Sequence, residues 1–404
     1  MNNLILRQVS RNTISILMIF VSVILIQSCS TTDKHRFSKP AIPVELEDAY
    51  FAGFAFLGDW NQRNIRYPYT AEIANQKDSN GLSIIDTQLL DRMRGFDAKG
   101  YNLHKTLGDL KDGTGLSVAI AIAYEDVYVL PFDGDYKVSY DIGLNILVFD
   151  FIEKKVIAVY PLRFLRNELL KERPTEEQKK QVIKSLFISN NHGINVLEEA
   201  VNQMKKMIIR PSYGHYIGIR NVTVSEKALH KIPEEILQDN ILKTQVAQQF
   251  EGFLSKNTFV PMVPYTTGEA IGRNMAARFS NGDSYDFKLP ELDYFIDLEL
   301  RDFKTKNRKD HTGFASLITL KVDTELSNVV DAKFSHVPWV LKGMTGDGSK
   351  ESNWSVYEES LGGLFNSLAK QIASSDSEWL EKHSVTKNVD EQFALFRNVL
   401  IKSQ

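Results

Sequence analysis

The chain has 404 residues, with 48 basic against 51 acidic side chains, eight histidines and one cysteine. A net charge of −3 lacks the cationic surplus of a nucleic-acid binder, and one cysteine leaves no intrachain disulfide and no cysteine-based metal site. Hydrophobic content of 43% with 25% charged residues describes an ordinary folded protein, long enough for two domains.

The N-terminus carries Arg7 and Arg11 without an acid, followed by the apolar run "ISILMIFVSVILI" at 14–26. That run is within the roughly 7–15 residues of a secretory leader core and short of the ~18 of a membrane span. Ile26-Gln27-Ser28-Cys29 comes directly after it. This resembles the lipobox of bacterial lipoproteins, in which the cysteine is lipidated and becomes the mature N-terminus. Ile26 stands where leucine is commonest, and Gln27 is larger than usual there. An ordinary secretory cut near Ser28 or Ser30, or an uncleaved anchor, remains the alternative. No A-x-A-like site precedes the polar stretch.

The resemblance implies that residues 1–28 are a lipoprotein signal peptide and that Cys29 is the lipidation site, carrying acyl chains such as palmitate. Each buried methylene contributes about 0.8 kcal/mol, so two or three chains hold firmly where one is marginal. In the resembled family an Asp after the cysteine favours the inner membrane. Ser30 therefore implies the cell outer membrane, periplasmic face. Cleavage would remove two basic residues and no acid, leaving 46 against 51, a balance of −5. Residues 29–44 are polar, with Pro40 and Pro43, and read as a lipidated stem.

In the body, Tyr50–Leu57 reads as a strand and Tyr67–Asn75 as a helix. "GLSIID" at 81–86 reads as a short strand, followed by a short helix near Thr87–Arg94. "LSVAIAIAYEDVYVL" places Val118, Ile120 and Ile122 on one face and alanines on the other. "VSYDIGLNILVFDF" pairs with it as a hairpin across "FDGD", and "KVIAVYPLRF" continues the meander. A charged stretch at 168–184 reads as irregular, and Ile194, Leu197, Val201 and Met204 define a closing helix.

The second half begins with a strand at Gly218–Val224 and a helix over Glu234–Leu254. "TFVPMVPY" at 258–265 reads as a short edge strand. Thr266 and Glu269 form a capping-box pair ahead of Ile271, Met275 and Phe279, predicting a helix. "DYFIDLELRDF" alternates strictly, and strands follow at Phe314–Asp323 and Val329–Val337. Ser355 and Glu358 form another capping-box pair, opening a helix through Leu361, Leu364, Leu368 and Ile372. Gly362 and Gly363 weaken that helix by about 1 kcal/mol each.

Both halves thus give a β-α-β-α-β-β-β-α order. The fold class is α+β, with two tandem domains each built on a mixed sheet, consistent with an ancient duplication. The expected boundaries are 45–210 for the first domain and 211–404 for the second, which ends in a C-terminal helical tail. The order, together with "LPELDYFIDLELRDF" and "SNVVDAKF", resembles the fold shared by the curli secretion lipoprotein, the lipoprotein activators of penicillin-binding proteins and the TolB amino-terminal domain. It covers about 217–375 in part and 45–210 weakly, and transfers no signature residue.

Enzyme signatures are scarce, and the expectation is a non-enzymatic protein without cofactor or metal. The histidines show no ligand spacing; His192 and His215 flank the segment between the halves. No G-x-S-x-G elbow exists. "GMTGDGSK" at 343–350 mimics a phosphate loop with its last two residues reversed and reads as a turn. Lys304, Lys306, Arg308 and Lys309 at a hairpin tip are candidate contacts for a partner or anion, against the plainer reading of a solvated turn. Tyr50, Phe51, Phe54, Phe56, Trp60, Tyr67 and Tyr69 are candidates for stacking on sugar rings, against core packing. A membrane-inserted hairpin at 116–152 is disfavoured, because Glu125, Asp126, Asp133, Asp135, Lys137 and Asp141 leave no apolar lipid face.

The functional expectation is an accessory or assembly factor for an envelope or secretion machine. It would be held to the membrane by its lipid anchor and engage an envelope protein partner and no nucleic acid. The alternative is a peptidoglycan- or polysaccharide-binding lipoprotein, or an activator of a cell-wall synthase.

Overall fold

A 17-residue strand, Leu116–Phe132 (β3), and its antiparallel partner Asp135–Asp150 (β4) form the longest hairpin among the described residues. Asp133 and Gly134 join them with φ of 52° and 81°, the left-handed pair that a two-residue hairpin turn requires. Lys155–Leu170 (β5) continues the meander, while Asp48–Leu57 (β1) runs parallel to β3 on the other side. The computed structural model describes residues 41–43, 45–105, 115–189, 193–237, 241–265, 274–342, 348–374 and 377–404. Cys29 lies outside these residues, as do His192, Thr266, Glu269, Ile271 and most of the "GMTGDGSK" loop. Residues 37–404 form one compact unit.

The first sheet is completed by a short strand at Asn102–His104 (β2) and by two strands from the second half, Asn274–Phe279 (β7) and Ser284–Lys288 (β8). β7 pairs antiparallel with β1, and β8 meets β5 through a single bridge, Lys155 to Lys288. Strands β1, β3, β4, β5, β8 and β7 thereby close into a ring. Its interior holds Ala119 and Ala121 of β3 opposite Phe149, Phe279 and Phe287, with Phe149 and Phe287 ring centres 4.6 Å apart. The alanines noted in β3 are the small residues that leave a narrow ring room for these phenylalanines.

The strands at 274–288 replace the helix expected from Met275 and Phe279. Met275, Ala277 and Phe279 alternate inward, with intervening residues half-buried. A four-residue spacing fits either period, and the alanine between them carried no signal. "TFVPMVPY" forms no strand, only the isolated bridges of Met262 to Val159 and Val263 to Gly218. "GLSIID" is also not a strand. Ser83 accepts from the Ile85 N–H and caps the helix Ile84–Arg92, where its side chain satisfies an otherwise orphaned donor.

The other face of the first sheet carries Val118, Ile120, Ile142, Leu144 and Ile146, packed against helices Thr70–Asn75 (α1), Ile84–Arg92 (α2), Glu176–Ile188 (α3) and Val196–Met204 (α4). Helix α3 falls in the stretch read as irregular. A reciprocal capping box, Thr175 with Gln178, opens it.

The second sheet orders Ile217–Val224 (β6), Tyr294–Asn307 (β9), His311–Asp323 (β10) and Asn328–His336 (β11), with Trp339–Leu341 (β12) added beside β10. β6 is parallel to β9, and β9-β10-β11 is an antiparallel meander. The sequence order of parallel strand, crossover and meander therefore occurs twice, and the fold is α+β on two tandem sheets.

Two helices, Ile241–Thr258 (α5) and Lys350–Ser374 (α6), contact both sheets. Leu242, Val246, Phe250, Leu361, Leu364 and Leu368 enter the core of the second sheet. From their other faces, Gln245 Nε2 donates to Asp126 Oδ2 (2.8 Å), and Ser352 Oγ reaches Pro131 O of β3 (3.5 Å). Helix α6 begins at Lys350, so Ser355 and Glu358 are interior and buried rather than a cap. A Cβ on Gly362 would lie 2.7 Å from Gln249 Nε2 of α5, which accounts for at least this glycine as a close-packing position. Helices Ser377–His383 (α7) and Val389–Lys402 (α8) pack Leu380, Phe393, Phe396 and Leu400 into the same core. The outward face of the second sheet stays polar, with Asp297, Glu299 and Arg301 alternating against Ile296, Leu298 and Leu300.

Candidate functional site

The cationic hairpin tip stands where the sequence puts it. Asn307 pairs with Thr312, Arg308 N donates to His311 O (2.9 Å), and Lys304, Lys306, Arg308 and Lys309 are all exposed. The four are not equivalent. The Arg308 guanidinium lies 3.9 Å from the Trp339 ring centre, and Lys304 Nζ is 3.6 Å from Asp302. Lys306 and Lys309 make no ion pair among the described residues, which leaves them free to meet an anionic surface.

Of the charges along the β3–β4 hairpin, Glu125, Lys137 and Asp141 are buried, Asp126 and Asp135 are half-buried, and Asp133 at the turn is exposed. Arg163 of β5 holds Asp141 of β4 bidentately, Nε at 2.9 and 3.0 Å from the two oxygens and Nη2 at 2.6 Å. The same Nη2 reaches Glu358 of α6 at 3.0 Å. Tyr124 OH donates to Asp141 (3.1 Å), and Tyr128 OH donates to Glu358. Side-chain exposure is 8% for Arg163, 0% for Asp141 and 8% for Glu358. Burial pulls the guanidinium down, but Asp141, Tyr124 and Glu358 together hold it well above its ordinary range. Burial pushes the Glu358 carboxyl up against the opposing pull of Arg163. Nearby, Lys137 Nζ bonds Glu359 (2.8 Å) and Ser355 O (3.3 Å). A Cβ on Gly143 would meet Gln248 Oε1 at 2.1 Å and the Tyr124 ring at 2.3 Å, so glycine is what lets α5 lie against β4 here. Asp141, Glu358 and Glu359 are each held by a cation or a tyrosine, and neighbouring Asp126 by the Gln245 amide, an arrangement that joins sheet to helix.

Two further carboxyls are buried without a cation. Glu125 accepts from the backbone N–H of Tyr69 (2.7 Å) and Thr70 (3.0 Å) and from the Thr70 hydroxyl, sealing the start of α1. Burial raises its pKa to about 7 despite these bonds. Glu251 of α5 is raised by burial to about 8, with the backbone N–H groups of Ile219 and Tyr265 opposing.

The aromatic group near the N-terminus belongs to the core. Tyr50, Phe51, Phe54, Phe56, Tyr67 and Tyr69 are buried, and Trp60 is half-buried with its ring edge-on to Phe56 at 5.2 Å. No set of three metal-binding side chains comes together among the described residues. His215 faces Asp293 at 3.6 Å and the Tyr294 ring.

A cleft of about 450 Å³ opens where the chain leaves α4, between residues 97–100, residues 205–213, Tyr160 of β5 and Phe259. Lys99, Lys205, Lys206 and Arg210 line it, against one acidic side chain, Asp97, with Gln404 also in the lining. Sequence reasoning missed it because its cations lie in two stretches about 105 residues apart, each unremarkable alone. Among the described residues no helix is long and apolar enough to cross a membrane. A scan against protein-family models finds no match to this chain, and a comparison with curated proteins finds no significant match.

Proposed function

We propose that the protein is an outer-membrane lipoprotein, anchored through Cys29 on the periplasmic face, that serves as a non-enzymatic accessory or assembly factor for an envelope or secretion machine. One observation carries this reading: an apolar leader core of secretory length that runs into Ile26-Gln27-Ser28-Cys29, the sole cysteine of the chain. Supporting it, 18 residues lie between Cys29 and Asp48, where β1 begins. A stem of that length reaches up to ~60 Å when extended, enough to hold the body clear of a membrane surface. The exposed polar face of the second sheet and the cations at its hairpin tip offer a surface to an acidic envelope protein. For the glycan-binding alternative the aromatic motive is weaker, since six of the seven aromatics are buried and Trp60 is half-buried.

Cys29→Ser is expected to abolish fatty-acid labelling and cleavage of the leader while leaving the melting of the body unchanged. Labelling that persists in the serine variant, or a parent chain that takes up no label, would sink the anchor. A sacculus pull-down separates the two functional readings: retention on purified peptidoglycan favours the glycan binder.

A further inference from the structure

We infer that the cleft beside α4 is a binding site for a small amphiphilic organic anion, a phosphate, sulfonate or carboxylate carried on a ring or short apolar body. Charge and lining argue for this together. Four cationic side chains against one acidic side chain converge on a space of about 450 Å³, within the ordinary range for small-molecule sites. None of Lys99, Lys205, Lys206 and Arg210 is in an ion pair among the described residues, whereas Arg163, Arg166 and Arg220 are each paired with carboxylates. Lys205 and Lys206 follow the C-terminal end of α4, where the helix dipole favours cations. That preference does not account for Lys99, which arrives from the loop before β2, or for Arg210 beyond the helix. Gathering like charges around a concavity raises the local positive potential, an arrangement that an anion relieves.

The interior of the cleft is apolar with fixed polar tips. Tyr160 and Tyr213 are buried, their hydroxyls 3.2 Å apart and both directed to Ile208 O. Met207 is buried beside them. Phe259 is also in the lining, with φ of +59°, a left-handed conformation that costs a bulky residue on the order of 1–3 kcal/mol and tends to mark functional positions. An apolar interior beneath a cationic lining selects an anion that also has a body to bury. Free phosphate satisfies only the cations, and a neutral ring only the interior. The inference stands on the body alone and does not depend on the membrane anchor.

The test uses 1-naphthyl phosphate, 1-naphthol and inorganic phosphate, titrated by calorimetry into the full chain. Naphthyl phosphate is expected to bind at least tenfold more tightly than either half-ligand, and to weaken as salt is raised. Lys206→Ala combined with Arg210→Ala should weaken it at least tenfold with an unchanged melting temperature. Lys306→Ala with Lys309→Ala, at the hairpin tip, should leave it unaltered and serves as the charge control. Vesicles containing phosphatidylglycerol that displace naphthyl phosphate would assign the anion to a lipid headgroup and keep the site; no displacement assigns it to a soluble ligand. Equal binding of naphthol and naphthyl phosphate, or a cleft variant that binds as the parent does, would overturn the inference. If Lys206→Ala/Arg210→Ala lowers the melting temperature, Lys99→Ala alone, in an exposed loop, repeats the test.

Discussion

In the first sheet β1 runs parallel to β3, which leads into the meander β3-β4-β5; in the second, β6 runs parallel to β9, which leads into β9-β10-β11. What differs is the covering. The first sheet has helices α1–α4 on one face and, on the other, its own ring closure together with α5 and α6. The second is covered by helices on one face, and among the described residues its other face is polar. The same side-chain chemistry therefore has opposite consequences. Arg163 and Asp141 meet out of water and must answer every charge. Arg220 reaches Asp297 and Asp323 (3.2 Å to the latter) in a pair that solvent shares, with 46% of the arginine side chain exposed. Position in the layer order decides what an ion pair is worth.

Arg163→Met is the most direct way to break that contrast. It strands Asp141 and Glu358 in the interior and is expected to cost about 3–5 kcal/mol in urea unfolding. Replacing all three, with Asp141→Leu and Glu358→Leu added, should recover most of the loss, because no uncompensated charge remains. A cost below about 1 kcal/mol for the single change would mean that the cluster is solvated and that the two sheets do not differ in this way.

Glu251 sharpens the contrast through pH. Its folded-state pKa of about 8 lies above the ordinary value of 4.5, so the folded chain holds the proton more tightly than the unfolded one. Its contribution is fully present below about pH 4.5 and is lost as pH rises towards about 8. Glu251→Gln, which stays neutral, should therefore gain stability relative to the parent as pH climbs through that window. Parallel stability curves for the two chains would show that the carboxyl is not desolvated.

The smallest effect belongs to the open sheet. Arg220→Ala is expected to cost no more than about 1 kcal/mol, and less at high salt, where exposed charges are screened. The cost of Arg163→Met should barely respond to salt. Equal salt sensitivity at the two positions would erase the distinction between the sheets.

Much of the fold was legible because alternation and length survive in the sequence. Ile296, Leu298 and Leu300 declare β9, and the two halves repeat one order. What escaped was long-range or ambiguous in period. Met275 and Phe279 suit a helix and a strand equally. Ser355 and Glu358 have the spacing of a cap, but Glu358 answers Arg163 and Tyr128, 195 and 230 residues away. The same holds for the candidate sites. The hairpin tip is a run of neighbouring cations and can be read directly, while the cleft and the buried cluster are assembled by the fold from separate stretches. Thr175 and Gln178 did carry a readable signal, the capping-box spacing that opens α3.

The ring that closes the first sheet also sets an order of events. β1 is among the first strands to leave any machinery that delivers the chain N-terminus first, yet its partner β7 begins at Asn274 and the bridge to β5 needs Lys288. Until then Phe149 and the alanine row of β3 lack the Phe279 and Phe287 that cover them. Contacts this distant in sequence form slowly, and an open strand edge beside bare apolar surface invites wrong pairing. The first half thus keeps an open seam for as long as the second takes to arrive.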